Sequence, residues 1–186
     1  LPARSEMCIR DSFQVANVIT TTGFGYGDTV KWPLFSQVIL LLLMCIGGSA
    51  GSTAGGFKVI RGIIISRIAK NQILSTLSPN RVLTMHVNGA VLDKDTQHKV
   101  LKYLATYVLI VLALVFIVSL DNNNLMTVVS GVLSCFNNIG PMIGTTDTFS
   151  IFSPFSKLLL AFAMIGGRLE IYPILLLFLP KTWSRR

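Results

Sequence analysis

One pattern occurs twice in this sequence and constrains its fold more than any other feature. A short apolar stretch ends in a polar turn and a glycine, at residues 20–23 and again at 137–140, and a longer apolar stretch follows each. The short stretches, residues 13–23 and 130–140, cannot cross a hydrocarbon core of ~30 Å as helices. Backbone that enters a membrane without crossing it needs protein or a water-filled cavity to satisfy its polar groups. The repeat therefore predicts an all-α membrane protein built from pseudo-repeats of span, short re-entrant helix and span.

Composition supports a membrane location. The chain is 52% hydrophobic and 13% charged, whereas soluble domains carry about 25% charged residues. Residues 103–120 and 158–179 are apolar runs of spanning length. A third apolar run, residues 34–46, breaks into ten small residues at 47–56 and resumes at 57–68. We expect Pro173 to kink the last span.

The net charge of +8 is distributed unevenly, and its placement argues against nucleic-acid binding. Most basic residues lie between the broken segment and the next span, or after the last span, whereas the loops near 121–124 and 145–147 lack Lys and Arg. By the positive-inside rule, the basic linker and the C-terminus are predicted to be cytoplasmic. His86 and His98 are interpreted as solvated loop residues. We find no catalytic constellation, and the chain is not predicted to be an enzyme.

These patterns divide the chain into five parts. Residues 1–12 are polar without periodicity, and we hypothesise that they are not native sequence. Residues 13–68 form the first short helix, its turn and a broken span, and residues 69–98 form a polar linker with a hairpin predicted at Asn88 and Gly89. Residues 99–183 form one complete unit, and residues 184–186 a cytoplasmic tail.

The repeated turn has the chemistry of a cation filter. Threonines leading into glycine can present a ring of oxygen ligands that replaces an ion's hydration shell. The alternative is an ordinary polar turn between helices, which the presence of two copies disfavours. The predicted potassium ligands are carbonyl groups of Thr21, Thr22, Gly23, Asn138, Ile139 and Gly140.

An alternative alignment of the filter takes Gly25 as its first glycine, because Gly25-Tyr26-Gly27-Asp28 matches the end of the tetrameric potassium-channel signature. We reject it because the second copy has no Tyr-Gly-Asp after its glycine. Asp28 is then an outer-mouth charge that raises local cation concentration.

The glycine-rich break has three interpretations. A phosphate-binding loop requires Lys directly after the last glycine, but Phe57 intervenes. Glycines spaced four apart fit close helix packing. An unwound segment that lines an ion pathway fits better, because each glycine costs a helix ~1 kcal/mol relative to alanine. Its polar and small members are Gly47, Gly48, Ser49, Gly51, Ser52, Thr53, Gly55 and Gly56.

Arg168 lies in the last apolar run, where a cation costs ~2.5–3.5 kcal/mol on insertion scales. The functional hypothesis is that it points into the pore below the filter, near the glycine-rich break, and limits cation flow. The alternative is a structural ion pair. Glu170 is two residues away and does not share its helix face, so we expect Glu170 to pair with Lys58 or Arg61.

Five blocks in order resemble the TrkH branch of the Trk/Ktr/HKT potassium transporters: residues 13–24, 32–35, 47–61, 136–141 and 167–171. The resemblance implies four fused repeats around one pore, of which this sequence matches the end of the third and all of the fourth. It also implies that the glycine-rich break is an intramembrane gating loop below the filter.

The same resemblance implies potassium uptake, with potassium as the transported ion and no organic cofactor. It further implies a homodimer in the bacterial cytoplasmic (inner) membrane and a cytoplasmic nucleotide-binding regulatory subunit of the TrkA type. The sequence leaves open whether flow is channel-like or symport with protons or sodium. An alternative function is a non-conducting fragment that associates with full-length pore subunits.

Overall fold

The computed structural model describes residues 4–24, 29–49, 51–52, 55–77, 86–87, 90–91, 93–145 and 148–169. Within them the chain is all-α apart from one hairpin, which confirms the predicted fold class. The helices are α1 (Arg4–Thr20), α2 (Leu34–Ile46), α3 (Val59–Leu77), α4 (Lys94–Val118), α5 (Leu125–Phe136) and α6 (Pro154–Arg168). The hairpin pairs β1 (His86–Val87) with β2 (Ala90–Val91) in antiparallel fashion.

Helix α4 is the longest element. With the 3₁₀ turn that extends it, the segment Asp95–Asp121 has 27 residues and a mean hydropathy of 2.6 over its most apolar window. At 1.5 Å per residue it exceeds the ~30 Å of a hydrocarbon core. It is the one helical segment of such length and hydropathy among the described residues. Helices α2 and α5 are apolar but shorter.

Helix α5 lies at the centre of the bundle. It packs against α4, α6 and α2, and nine of its 12 residues are buried. Small residues such as Gly131 allow this close packing, since a Cβ at Gly131 would lie 3.1 Å from the ring of Phe152. Helix α5 therefore has the length and the burial expected of the predicted re-entrant element: its first residue, Leu125, is exposed and its C-terminal half is buried in protein.

Two buried clusters hold the bundle together. One joins the base of α3 with α4, α5 and α6 through residues that include Phe57, Tyr107 and Leu160. The other joins α1 and α2 to α5 and the chain after it, through residues that include Val18 and Met44. The contact between α2 and α5 therefore links the first copy of the repeated pattern to the second.

The structure corrects three predicted boundaries. Helix α1 begins at Arg4 rather than at Phe13. Helix α3 continues to Leu77 and α4 begins at Lys94, so helices occupy both ends of the predicted linker 69–98. Residues 69–77 are polar but include strong helix formers such as Ala, Lys, Gln and Leu, so propensity rather than apolarity extends α3. Strands β1 and β2 flank residues 88–89, as the predicted hairpin requires.

Helix α6 is described only as far as Leu169, which follows its last helical residue. The predicted continuation of this span, including Glu170 and the kink at Pro173, lies outside the described residues. So do Gly25, Asp28 and the cytoplasmic tail.

Candidate functional site

The two polar turns have the same backbone geometry. Thr21 and Asn138, which occupy the same position of the repeat, have left-handed φ angles of 52° and 55°. Gly23 and Gly140, two residues further on, have φ angles of 89° and 109°. Threonine is β-branched and adopts positive φ rarely. The equivalence of the turns therefore extends from sequence to conformation.

The hydrogen bonds of the turns are equivalent as well. In each turn, one amide bonds the carbonyl three residues earlier and the next amide bonds the carbonyl five residues earlier, which is the Schellman motif that ends many helices. The bonds are Thr21 N to Val18 O (3.3 Å), Thr22 N to Asn17 O (3.1 Å), Asn138 N to Cys135 O (3.1 Å) and Ile139 N to Ser134 O (2.9 Å). Each turn thus leaves the end of its short helix in the same direction relative to that helix.

The turns meet at their glycines. A Cβ atom at Gly23 would lie 2.8 Å from the carbonyl oxygen of Ile139, and one at Gly140 would lie 3.4 Å from Cα of Gly23. Positive φ and this close approach both require glycine at position 23. Three of the six residues predicted as potassium ligands, Gly23, Ile139 and Gly140, are therefore brought together in the structure.

The carbonyl groups of the predicted ligands accept no hydrogen bond from the residues that the structure describes. Side chains brace the turns instead. Asn17 Oδ1 accepts a bond of 2.8 Å from the amide of Phe24, and Asn138 Nδ2 donates one of 3.0 Å to the carbonyl of Met164 on α6. The Asn138 side chain is thus engaged with α6, and its backbone carbonyl remains an open acceptor.

A polar junction joins the segments that follow the two turns. The amide of Gly144 donates to Oγ1 of Thr29 at 3.1 Å, which joins the segments that follow the two turns. The Gln37 side chain is buried and donates to the carbonyls of Thr29 and Trp32, at 3.2 and 3.0 Å. This junction holds the two turns in register with each other.

The glycine-rich segment is non-helical at its described residues, 47–49, 51–52 and 55–58, as the sequence predicts. Thr53 lies outside the described part. The ends of this loop are joined by backbone bonds from Phe57 N to Cys45 O (3.1 Å), Lys58 N to Ile46 O (2.8 Å) and Val59 N to Gly48 O (3.1 Å). Gly47 and Gly56 both have positive φ, and a Cβ at Gly56 would lie 3.2 Å from Cα of Gly47. The segment is therefore a closed loop between α2 and α3.

This loop touches the end of α5. A Cβ at Gly55 would overlap the carbonyl oxygen of Asn137, and a Cβ at Gly167 of α6 would overlap that of Phe136. The loop thus contacts the first residue of the second turn, Asn137, and α6 contacts the residue before it, Phe136. Arg168 follows Gly167, ends α6 and is exposed.

Sequence reasoning missed an aromatic cluster beside this contact. The ring of Tyr107 lies 5.8 Å from that of Phe57 and 5.3 Å from that of Phe136, and its hydroxyl donates to Asn137 Oδ1 at 3.0 Å. Tyr103, one turn earlier on α4, lies 6.0 Å from Phe57. The spacing of four between the two tyrosines, which places them on one helix face, was the available signal.

Two equivalent glycine turns that meet beside a broken apolar helix, in a chain with a helix of spanning length, are features of membrane proteins whose irregular backbone lines an ion pathway. The comparisons identify the family within that class. A family model described as "TrkH: Cation transport protein" matches residues 2–185. The chain belongs to the TrkH family.

The match begins at residue 2, so it includes most of the N-terminal residues that the sequence patterns left unassigned. That residues 1–12 are non-native stays a hypothesis. Among curated relatives, the Trk system potassium uptake protein TrkH of Escherichia coli K12 is 32% identical over 172 residues, covering 92% of this chain. TrkG of the same organism is 31% identical over 176 residues, covering 94%. The chain spans 36% of the length of each.

A solved structure agrees with these relatives. The crystal structure of the potassium transporter TrkH from Vibrio parahaemolyticus matches with a TM-score of 0.90 and 30% identity. The match covers 99% of this chain and 40% of that one. The resemblance drawn from the five sequence blocks is confirmed.

Proposed function

We propose that this chain forms two of the four walls of a potassium-conducting pore. The observation that carries the proposal is that two turns of identical conformation meet at Gly23 and Gly140. Open carbonyls in such an arrangement can replace the hydration shell of a cation. The proposed ligands are the carbonyls of Thr21, Thr22, Gly23, Asn138, Ile139 and Gly140.

The glycine-rich loop is proposed as the gate of this pore. It is non-helical backbone in a membrane protein, and such backbone is tolerated where it lines a cavity or is covered by protein. Its contact with the carbonyl of Asn137 places it against the turn on the α5 side. The gate residues are Gly47, Gly48, Ser49, Gly51, Ser52, Thr53, Gly55 and Gly56, with Arg168 beside them as a positive charge that limits cation flow.

The activity of the whole protein is proposed from its relatives, because the chain covers about a third of their length. The relatives are named Trk system potassium uptake proteins, which supports potassium as the transported ion. We propose no organic cofactor. We further propose a homodimer of the complete subunit, a TrkA-type regulatory partner and the bacterial inner membrane. The basic linker supports a cytoplasmic C-terminus.

The test is potassium uptake by the complete reading frame in a host that lacks its own potassium uptake. Gly23→Ala is expected to abolish uptake, because alanine at positive φ costs ~1–2 kcal/mol and its Cβ would meet the Ile139 carbonyl. Gly62→Ala is the matched control, since a Cβ at Gly62 meets nothing within 4 Å. Varying proton and sodium gradients separately will distinguish symport from channel-like flow.

Membrane levels of both variants are measured by immunoblot, so that loss of uptake is compared at equal abundance. Wild-type uptake that persists in Gly23→Ala and in Gly140→Ala would contradict the filter assignment. Absence of uptake by the wild-type subunit would instead favour the non-conducting alternative.

A further inference from the structure

A basic cavity lies between the beginning of α3 and the beginning of α4. Its volume is about 510 Å³, and its lining residues are Arg61, Thr96, Lys99, Val100, Lys102 and Tyr103. Half of these residues are cationic, and the described lining includes no carboxylate. None of its lining residues belongs to the two turns or to the glycine-rich loop, so the proposed ion pathway does not account for its charge.

Part of the cavity is rigid before any ligand binds. The guanidinium carbon of Arg61 lies 3.9 Å from the centroid of the Tyr103 ring, a cation–π contact. Tyr103 and Val100 are 6% and 8% exposed and form the floor. The Arg61 guanidinium thus adds a fixed positive charge to the cavity wall. Lys99 and Lys102 are exposed at the rim and add flexible positive charge.

The surroundings of the cavity are apolar on one side. Helix α4 changes at Tyr103 from a polar to an apolar sequence, and most of its apolar window is not buried within the chain. Next to the cavity, Leu101 of α4 and Val59 and Ile63 of α3 are 42%, 39% and 41% exposed. An anion with apolar chains can pair with the basic residues of the cavity and also cover these apolar side chains. A soluble anion would pair with the basic residues alone.

We propose that this cavity binds the phosphate headgroup of an anionic glycerophospholipid, whose acyl chains lie along the exposed apolar faces of α3 and α4. Basic cavities between membrane helices on the cytoplasmic side are suited to anionic headgroups. The inference rests on the proposed function for the orientation of the chain in the membrane, which places the basic linker on the cytoplasmic side. The bound lipid would lie close to Phe57, since the Phe57 ring is 6.0 Å from that of Tyr103.

The test measures lipid binding directly. Phosphatidylglycerol is titrated into the delipidated, detergent-purified complete subunit, and bound lipid is counted by native mass spectrometry. Lys99→Gln/Lys102→Gln is expected to raise the dissociation constant about fivefold per lysine, or roughly 30-fold. Arg67→Gln/Lys70→Gln removes the same charge from exposed positions of α3 outside the cavity and is expected to leave the constant unchanged. Lys99→Arg/Lys102→Arg keeps the charge and is expected to retain binding.

Two further arms identify the ligand. Phosphatidylethanolamine is expected to bind weakly and equally to all variants, and inorganic phosphate is expected not to displace phosphatidylglycerol. Equal phosphatidylglycerol affinity of the wild type and Lys99→Gln/Lys102→Gln would overturn the proposal. Displacement by inorganic phosphate would also overturn it, in favour of a soluble anion. Lipid binding is measured without ion flux. A failure of potassium uptake would therefore contradict the proposed function without changing the outcome of the lipid-binding test.

Discussion

The hydroxyl of Tyr107 donates a 3.0 Å hydrogen bond to Oδ1 of Asn137, and both side chains are buried. This bond ties α4 to the residue that directly precedes the left-handed Asn138. The same Asn137 carries the carbonyl against which Gly55 packs. Asn137, the first residue of the second turn, is therefore contacted both by α4 and by the proposed gate.

Removing the Tyr107 hydroxyl tests this link. Tyr107→Phe leaves the Asn137 oxygen buried without its donor, which is expected to cost about 1–3 kcal/mol. We expect a lower unfolding temperature in detergent and stronger inhibition of potassium uptake by sodium. The control is Thr106→Ala, because the Thr106 hydroxyl bonds only the carbonyl of Lys102 in its own helix, at 2.9 Å. Unchanged stability and sodium inhibition in Tyr107→Phe would show that this bond does not position the turn.

Alanine at Gly55 tests the contact between the loop and α5. Its Cβ would overlap the Asn137 carbonyl, so the loop must move away from the turn. If the loop is the gate, Gly55→Ala raises basal potassium flux through the reconstituted complete subunit. Gly62→Ala is the matched control outside the loop, since a Cβ there meets nothing within 4 Å. Equal flux in the two variants would argue that the loop does not restrict the pathway.

Charge removal at Arg168 tests its proposed role. Arg168→Ala is expected to raise potassium flux, because a positive charge near the pathway opposes cation entry by on the order of 1 kcal/mol, or about fivefold in rate. Arg168→Lys keeps the charge and is expected to behave as the wild type. The measurement is rubidium-86 uptake by proteoliposomes. Flux that is unchanged in Arg168→Ala would favour the structural ion pair.

Local sequence patterns predicted the elements that depend on local chemistry. Glycine-rich residues 47–56 predicted an interrupted helix because glycine disfavours helices, and the repeat of residues 20–23 at 137–140 predicted two equivalent turns. The ends of α1 and α3 were harder to predict. Their polar extensions are helical by propensity, and hydrophobic runs do not detect them.

Contacts between distant residues were not predictable from these patterns. The cluster of Phe57, Tyr107 and Phe136 depends on how three segments pack, and each residue alone is an ordinary apolar or aromatic member of its segment. The engagement of the Asn138 side chain with Met164 of α6 is of the same kind. The sequence predicts which backbone groups are the proposed ligands, and the structure shows which side chains contact the two turns.

The backbone bonds that close the glycine-rich loop have a mechanical consequence. Because the carbonyls of Cys45, Ile46 and Gly48 bond the amides at the start of α3, the neck of the loop is fastened independently of its tip. If the loop is the gate, these bonds would hold the two flanking helices in place while it opens. In that case opening would break the contact between Gly55 and Asn137, which lies next to the bonded neck of the loop.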